Sequence, residues 1–152
     1  MSAPVPERIL TAARGWIGTP YRHQASARGA GCDCLGLIRG LWREVLGAEP
    51  EVPPAYSRDW DEATGAEALW QAAARHLIVK PLETAAVGDV VLFRMRRGAV
   101  AKHLGVQSAH TPHAKFIHAY SGHGVVETML TAPWQRRIVA RFQWPALITN
   151  ET

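Results

Sequence analysis

Apolar residues recur at helical spacing through the first half of the chain and collapse into short strand-like runs in the second. Ile9, Leu10, Ala13 and Trp16 or Ile17 return every three or four residues. They predict a first helix starting near Pro6, a favourable first-turn residue, with Glu7 at the positive end of the dipole. Gly18-Thr19-Pro20 stops it. The clearest periodicity comes next: Cys34, Leu37, Ile38, Leu41, Trp42 and Val45 share one helical face, and Gly47 stands where a left-handed cap is expected. Residues 29–33 read as a small-residue loop leading straight into that helix. Pro50, Pro53, Pro54 and Ser57-Arg58-Asp59 mark 47–62 as irregular surface loop. Ala66, Leu69, Trp70 and Ala73 predict a third helix over 63–76.

From residue 87 the grammar changes. Val87-Gly88-Asp89 leads into a buried strand over 90–93, and further short strands are expected at 103–107, 116–119, 124–127 and 138–142. Gly98, Thr111-Pro112, Ser121-Gly122 and Pro133 separate them. Helices first and an antiparallel sheet after define an α+β fold, with one sheet face packed on the helices. No repeat, low-complexity stretch or linker-like break interrupts the order, so residues 1–152 are expected to form a single domain.

Composition narrows the function classes. A chain of 152 residues buries about 70% of its extended surface and needs no metal or disulfide staple. With 47% apolar and 20% charged residues it is not a disordered tail. No apolar run approaches the roughly 18 residues of a membrane span. The net charge of +4 favours an anionic partner without singling out nucleic acid. Arg94, Arg96, Arg97 and Lys102 form a basic cluster near aromatics, read here as a solvated strand end and turn, so no direct nucleic-acid contact is expected. The N-terminus, Met-Ser-Ala-Pro-Val-Pro-Glu-Arg, lacks the basic start and apolar core of a signal peptide, which predicts synthesis in the cytoplasm without one.

The candidate chemistry centres on Gly31-Cys32-Asp33-Cys34-Leu35-Gly36. This segment sets a cysteine in the first turn of an amphipathic helix, where free N–H groups and the dipole favour a thiolate and can hold an oxyanion. Cys34 is the better nucleophile, because its helical position points inward with Leu37, Ile38 and Leu41. Cys32 precedes the helix, and a bridge between cysteines one residue apart would be strained. Among seven histidines, His103 opens a strand from which a side chain can project toward a helix end. His118 lies in the next strand, where it can stand beside His103 and orient its imidazole. His23, His76, His110, His113 and His123 read as ordinary loop, turn or helix-end residues. Trp16, Trp42 and Trp70 read as core, while Trp60 in the irregular loop can contact a ligand. Metal binding fits poorly: the cysteines form C-x-C, His110-x-x-His113 straddles a proline, and H-E-x-x-H is absent. No Gly-rich phosphate loop follows a strand.

Taken together, these segments resemble the NlpC-type cell-wall peptidases of the papain-like superfamily. Gly31 to Ile38 resembles their nucleophile motif, and Gly18-Thr19-Pro20-Tyr21 their upstream segment, whose tyrosine lies beside the nucleophile. Gly88-Asp89-Val90-Val91-Leu92-Phe93, His103-Leu104-Gly105-Val106 and Phe116-Ile117-His118-Ala119 resemble the first sheet strand and the two strands carrying the histidine and the third polar residue. The resemblance implies a papain-like fold with Cys34 as nucleophile at the start of the central helix, His103 as general base and His118 orienting it. Tyr21 would line the site and Asp33 would hold a substrate amine, with no cofactor. Leu35 departs from the serine of many members, which removes whatever contact that hydroxyl makes.

The implied substrate is the peptidoglycan stem peptide, cut between D-glutamyl and the diamino acid. Cys-Asp-Cys-Leu-Gly-Leu together with Tyr56-Ser57-Arg58-Asp59-Trp60 is most similar to the subgroup found in phage tails and gene transfer agents. That implies tail hub or tip proteins as partners, and delivery in a virion-like tail to the periplasmic wall so that DNA can enter. The competing expectations are a structural tail-tip component using the fold for subunit contacts, and a papain-like amidase or acyltransferase acting on another substrate.

Overall fold

The computed structural model describes residues 3–53, 56 and 67–146. The first helix, α1 (Val5–Trp16), has proline in its first turn and buries Ile9, Ala13 and Trp16. Residues 29–33 are more than a loop: Ser26–Ala27 (β1) and Gly31–Cys32 (β2) pair antiparallel as a small hairpin. Tyr21 bridges Cys32 in parallel from the other side. Cys32 is thus held in extended backbone immediately ahead of the nucleophile helix.

That helix, α2 (Cys34–Val45), is capped at both ends. The Asp33 carboxylate accepts a hydrogen bond from the Gly36 N–H at 2.7 Å, satisfying one of the four donors a helix start leaves open. At the other end the N–H groups of Leu46 and Gly47 both reach the Trp42 carbonyl, with Gly47 at φ +109° as the expected cap. Gly40 lets α1 and α2 approach closely, since a Cβ there would lie 2.2 Å from Trp16 Cζ2.

The third helix, α3 (Ala68–His76), starts later than its apolar periodicity predicts. Residues 63–66 lie outside the described residues, as do Ser57, Arg58, Asp59 and Trp60. The strands follow: β3 (Ile78–Lys80), β4 (Val90–Phe93), β5 (His103–Ala109), β6 (Lys115–Tyr120) and β7 (Gly124–Met129), then α4 (Ala132–Arg137) and β8 (Ile138–Gln143). They form one antiparallel sheet in the order β3-β8-β4-β5-β6-β7. Besides the β1–β2 hairpin, the pattern of the sequence missed β3 and α4. β3 follows α3 after Leu77 with no turn signal, and as an edge strand it leaves Ile78 and Val79 exposed. α4 begins around Pro133, which read as a strand separator but serves here as a first-turn proline.

The sheet buries both faces, not only the one toward the helices. Val90, Leu92, Leu104, Val106, Ile117, Ala119 and Phe142 join α1 and α2 in the main core. Alternate residues Val91, Phe93 and Phe116 point the other way, into a smaller core with Leu130 that Met95, Trp134 and Ile138 flank. A buried polar cluster ties the strands together. Arg141 reaches the Asp89 carboxylate at 2.8 Å and the Gln107 side chain at 2.5 Å, while Lys80 holds the other Asp89 oxygen at 2.9 Å.

Candidate active site

Tyr21, Asp33, Cys34 and His103 line one open pocket of about 190 Å³. Their elements converge at the end of β5: α2 brings Cys34 from the helix side, and the first residue of the strand brings His103. His118 stands behind His103 without lining the pocket, and the two rings share a 2.7 Å hydrogen bond between His103 Nε2 and His118 Nδ1. The five residues singled out from the sequence therefore come together.

The sulfur rests against the backbone on either side of His103. Cys34 Sγ donates to the Lys102 carbonyl at 3.6 Å, and the Leu104 N–H contacts it from the following residue. The thiol proton is thus parked on a carbonyl, with the imidazole next to it in the same pocket. Burial pushes the Cys34 thiol up to about 12, and the adjacent Asp33 charge adds to the effect, against the N–H groups of Leu104 and Leu35. Burial also lowers His103 to about 4. The expectation that the helix start depresses the Cys34 pKa is therefore corrected. Desolvation outweighs the dipole, and the resting pair is a neutral thiol beside a neutral imidazole.

His118 is lowered to about 3, first by burial and then by His103 and His123. An aromatic wall packs against both rings. Trp134 lies 5.9 Å from His103 and 5.3 Å from His118, centroid to centroid, and Phe116 is 4.1 Å from His118. On its far side, His118 Nε2 is 2.8 Å from the Thr128 hydroxyl.

Asp33 is more committed than sequence reasoning showed. Besides capping α2, its second oxygen accepts the Gln24 N–H at 2.7 Å and the Tyr56 hydroxyl at 2.6 Å. Tyr56 is itself held through its carbonyl, by His23 at 2.9 Å. Burial, then the bond to Asp33, raises the Tyr56 pKa and keeps its hydroxyl a donor. His23, read as an ordinary loop residue, lines the pocket together with Met95, Lys102, Tyr120 and Ser121. His123, also set aside, stacks on Tyr120 at 5.3 Å. Only the alternation of β6 carried a signal for Tyr120, which shares a face with His118.

A larger apolar cavity of about 450 Å³ lies between α2 and α3 and holds neither Cys34 nor His103. Leu35 and Leu104, the residues after them, form part of its lining. Among the described residues no cluster of His, Cys, Asp and Glu is arranged to hold a metal ion, and no helix is long and apolar enough to cross a membrane.

With this geometry in place, the sequence profile of a known family matches residues 18–143 of the chain. The chain belongs to the NlpC/P60 family. Solved structures agree on the fold. An NlpC/P60 family protein from Bacillus cereus ATCC 10987 is 15% identical with a TM-score of 0.67, over 94% of this chain and 41% of that one. The NlpC/p60 domain of the peptidoglycan hydrolase SagA is 18% identical with a TM-score of 0.62, over 91% and 97%. NlpC2 from Trichomonas vaginalis is 16% identical with a TM-score of 0.63, over 95% and 48%. The chain spans less than half of the first two solved structures it matches. No curated protein matched in the sequence comparison. The fold is therefore the papain-like α+β arrangement of NlpC/P60 peptidoglycan hydrolases, with helices first and a six-stranded sheet after.

Proposed function

We propose that this NlpC/P60 protein is a cysteine peptidase that hydrolyses the stem peptide of peptidoglycan between D-glutamyl and the diamino acid. The observation that carries the reading is the pairing of Cys34 and His103 in one open pocket, with His103 held from behind by His118. His103 Nδ1 takes the thiol proton as the sulfur turns from the Lys102 carbonyl to the scissile carbonyl carbon. The tetrahedral oxyanion falls at the start of α2. There the Gly36 N–H is already used by Asp33, which leaves the N–H groups of Cys34 and Leu35, with the Tyr21 hydroxyl as a further donor. His103 then protonates the leaving amine, and water, deprotonated by His103, hydrolyses the thioester. Asp33, which lines the pocket and accepts the Tyr56 hydroxyl, is where a substrate ammonium would be received.

The likeness of Cys32 to Leu37 and of Tyr56 to Trp60 to tail-borne members supports delivery in a phage-like or gene-transfer-agent tail, next to hub or tip proteins. On this reading the protein acts on the periplasmic wall. Co-sedimentation with tail-bearing particles is its test, and absence from purified particles would remove that part alone.

The peptidase reading is tested by incubating the protein with Gram-negative peptidoglycan and identifying fragments by mass spectrometry, with Cys34→Ala alongside. Stem-peptide cleavage by the wild type and none by the variant is the expected result. No cleavage by either would return the protein to a structural role in the particle.

A further inference from the structure

We infer that Thr128 is a positioning residue of the site, fixing which nitrogen of His118 carries the proton and thereby leaving His103 able to accept one from Cys34. The inference rests on the peptidase reading for its consequence, but its geometry stands alone. The sheet register sets the residues on a diagonal. On β6 and β7, His118 is paired with Val126 and Phe116 with Thr128. Thr128 is thus the diagonal neighbour of His118, at 2.8 Å from Nε2. Extending the pairing of Val106 with Ile117 on β5 and β6 makes His118 the diagonal neighbour of His103. Two diagonal steps across three strands link hydroxyl, imidazole and imidazole in one line.

The direction of the protons along that line decides whether the site works. Burial keeps both imidazoles neutral, so each carries one N–H. For His103 to accept the thiol proton at Nδ1, its own proton must sit on Nε2 and be donated to His118 Nδ1. His118 must then carry its proton on Nε2, where it needs an acceptor. Thr128 Oγ1 supplies one. Phe116, Tyr120 and Trp134 pack around His118 with aromatic faces and edges. Without the hydroxyl, an Nε2–H left among these rings loses its partner, whereas a bare Nε2 lone pair is the cheaper group to bury. Removing the hydroxyl therefore moves the His118 proton to Nδ1 and reverses the line, so that His103 presents Nδ1–H to the sulfur. The alternatives elsewhere in the fold are less specific. The cavity between α2 and α3 is apolar with its charged rim already paired, and the exposed edge of β3 has nothing on it to name an occupant.

Thr128→Val keeps the β-branched shape and removes the acceptor, and Thr128→Ser keeps the acceptor. Histidine side-chain ¹⁵N shifts in the full-length protein read the tautomer directly, independently of any activity. In the wild type His118 Nε2 is expected at the protonated position and Nδ1 at the bare one. Thr128→Val reverses the two, and Thr128→Ser restores them. If peptidoglycan cleavage is established, Thr128→Val lowers kcat about tenfold or more at unchanged KM, with Thr128→Ser close to wild type. An unchanged ¹⁵N pattern in Thr128→Val, or a wild type already protonated at Nδ1, overturns the inference whatever the protein cleaves. Loss of activity with an unchanged pattern does the same, and a wild type inactive on the wall counts against the peptidase reading alone.

Discussion

His103 and His118 occupy adjacent strands but meet on the diagonal, Nε2 to Nδ1 at 2.7 Å, because the residue beside His118 has no side chain. That residue is Gly105. A Cβ built there would stand 2.8 Å from Phe116 Cδ2 and 3.3 Å from His118 Cβ, in the space the two rings use to approach. Gly105→Ala should therefore push His118 off its bond to His103 while the ladder around it holds. Overpacking of this kind costs about 1–3 kcal/mol, which a domain of this size survives. The expected outcome is a folded protein by circular dichroism whose kcat falls at least tenfold. Wild-type turnover in a folded Gly105→Ala protein would show that the diagonal contact is not needed.

The state of Cys34 is open to direct chemical test. Burial and Asp33 push its thiol up to about 12, and only the thiolate reacts with an alkylating agent. Iodoacetamide should then label Cys34 more slowly than a free cysteine at pH 7.5, with a rate that keeps climbing through pH 9. Cys32, also raised to about 12 by burial and then by Asp33 and fully inaccessible, should stay unlabelled, which peptide mapping checks. A rate already on a plateau at pH 6 would mean that the resting pair is thiolate and imidazolium.

The fold and the chemical pair were legible because each is written locally. Helical periodicity marks α2, the small-residue loop over 29–33 marks where it begins, and β4 to β8 carry apolar runs between turn formers. What stayed hidden depends on register and desolvation. Nothing local to Thr128 says that it reaches His118, because that follows only once β6 and β7 are aligned. The pKa of Cys34 was misread for a similar reason. The dipole is visible in the sequence, while the burial that overrides it comes from strands seventy residues away. Asp33 was read as a substrate ligand, and its capping bond to Gly36 N–H, three residues on, was the signal overlooked.

Asp33 joins structure and recognition, and the two can be separated. Losing a helix cap costs about 1 kcal/mol, and here the Gln24 N–H and Tyr56 hydroxyl lose their acceptor as well. Asp33→Ala should lower the unfolding free energy by about 1–3 kcal/mol in urea titrations. Asp33→Ser, which caps with a hydroxyl, should recover part of it. If the carboxylate also receives a substrate ammonium, both variants should raise KM for a stem peptide with a free N-terminus. An N-acetylated peptide should not distinguish them from wild type. Equal KM values for the free peptide in all three proteins would leave Asp33 only its structural role.

Acid sensitivity follows from the same burial. The folded protein takes up protons at His103 and His118 only near about 4 and about 3, whereas the unfolded chain takes them up around the ordinary 6.5. Between these values the unfolded state holds more protons, so stability must fall as pH drops below about 6.5. The paired carboxylates Glu49, Glu51 and Glu127 are lowered from 4.5. Their contribution is intact above that value and is lost only below it. The interval from pH 6.5 to 4.5 therefore isolates the histidines. Urea unfolding at steps across it should give a midpoint that falls steadily with pH in the wild type. A His103→Gln/His118→Gln variant should show a flatter profile, because the groups that must charge are gone. A wild-type midpoint constant down to pH 4.5 would mean that these imidazoles titrate in the folded state as they do in water.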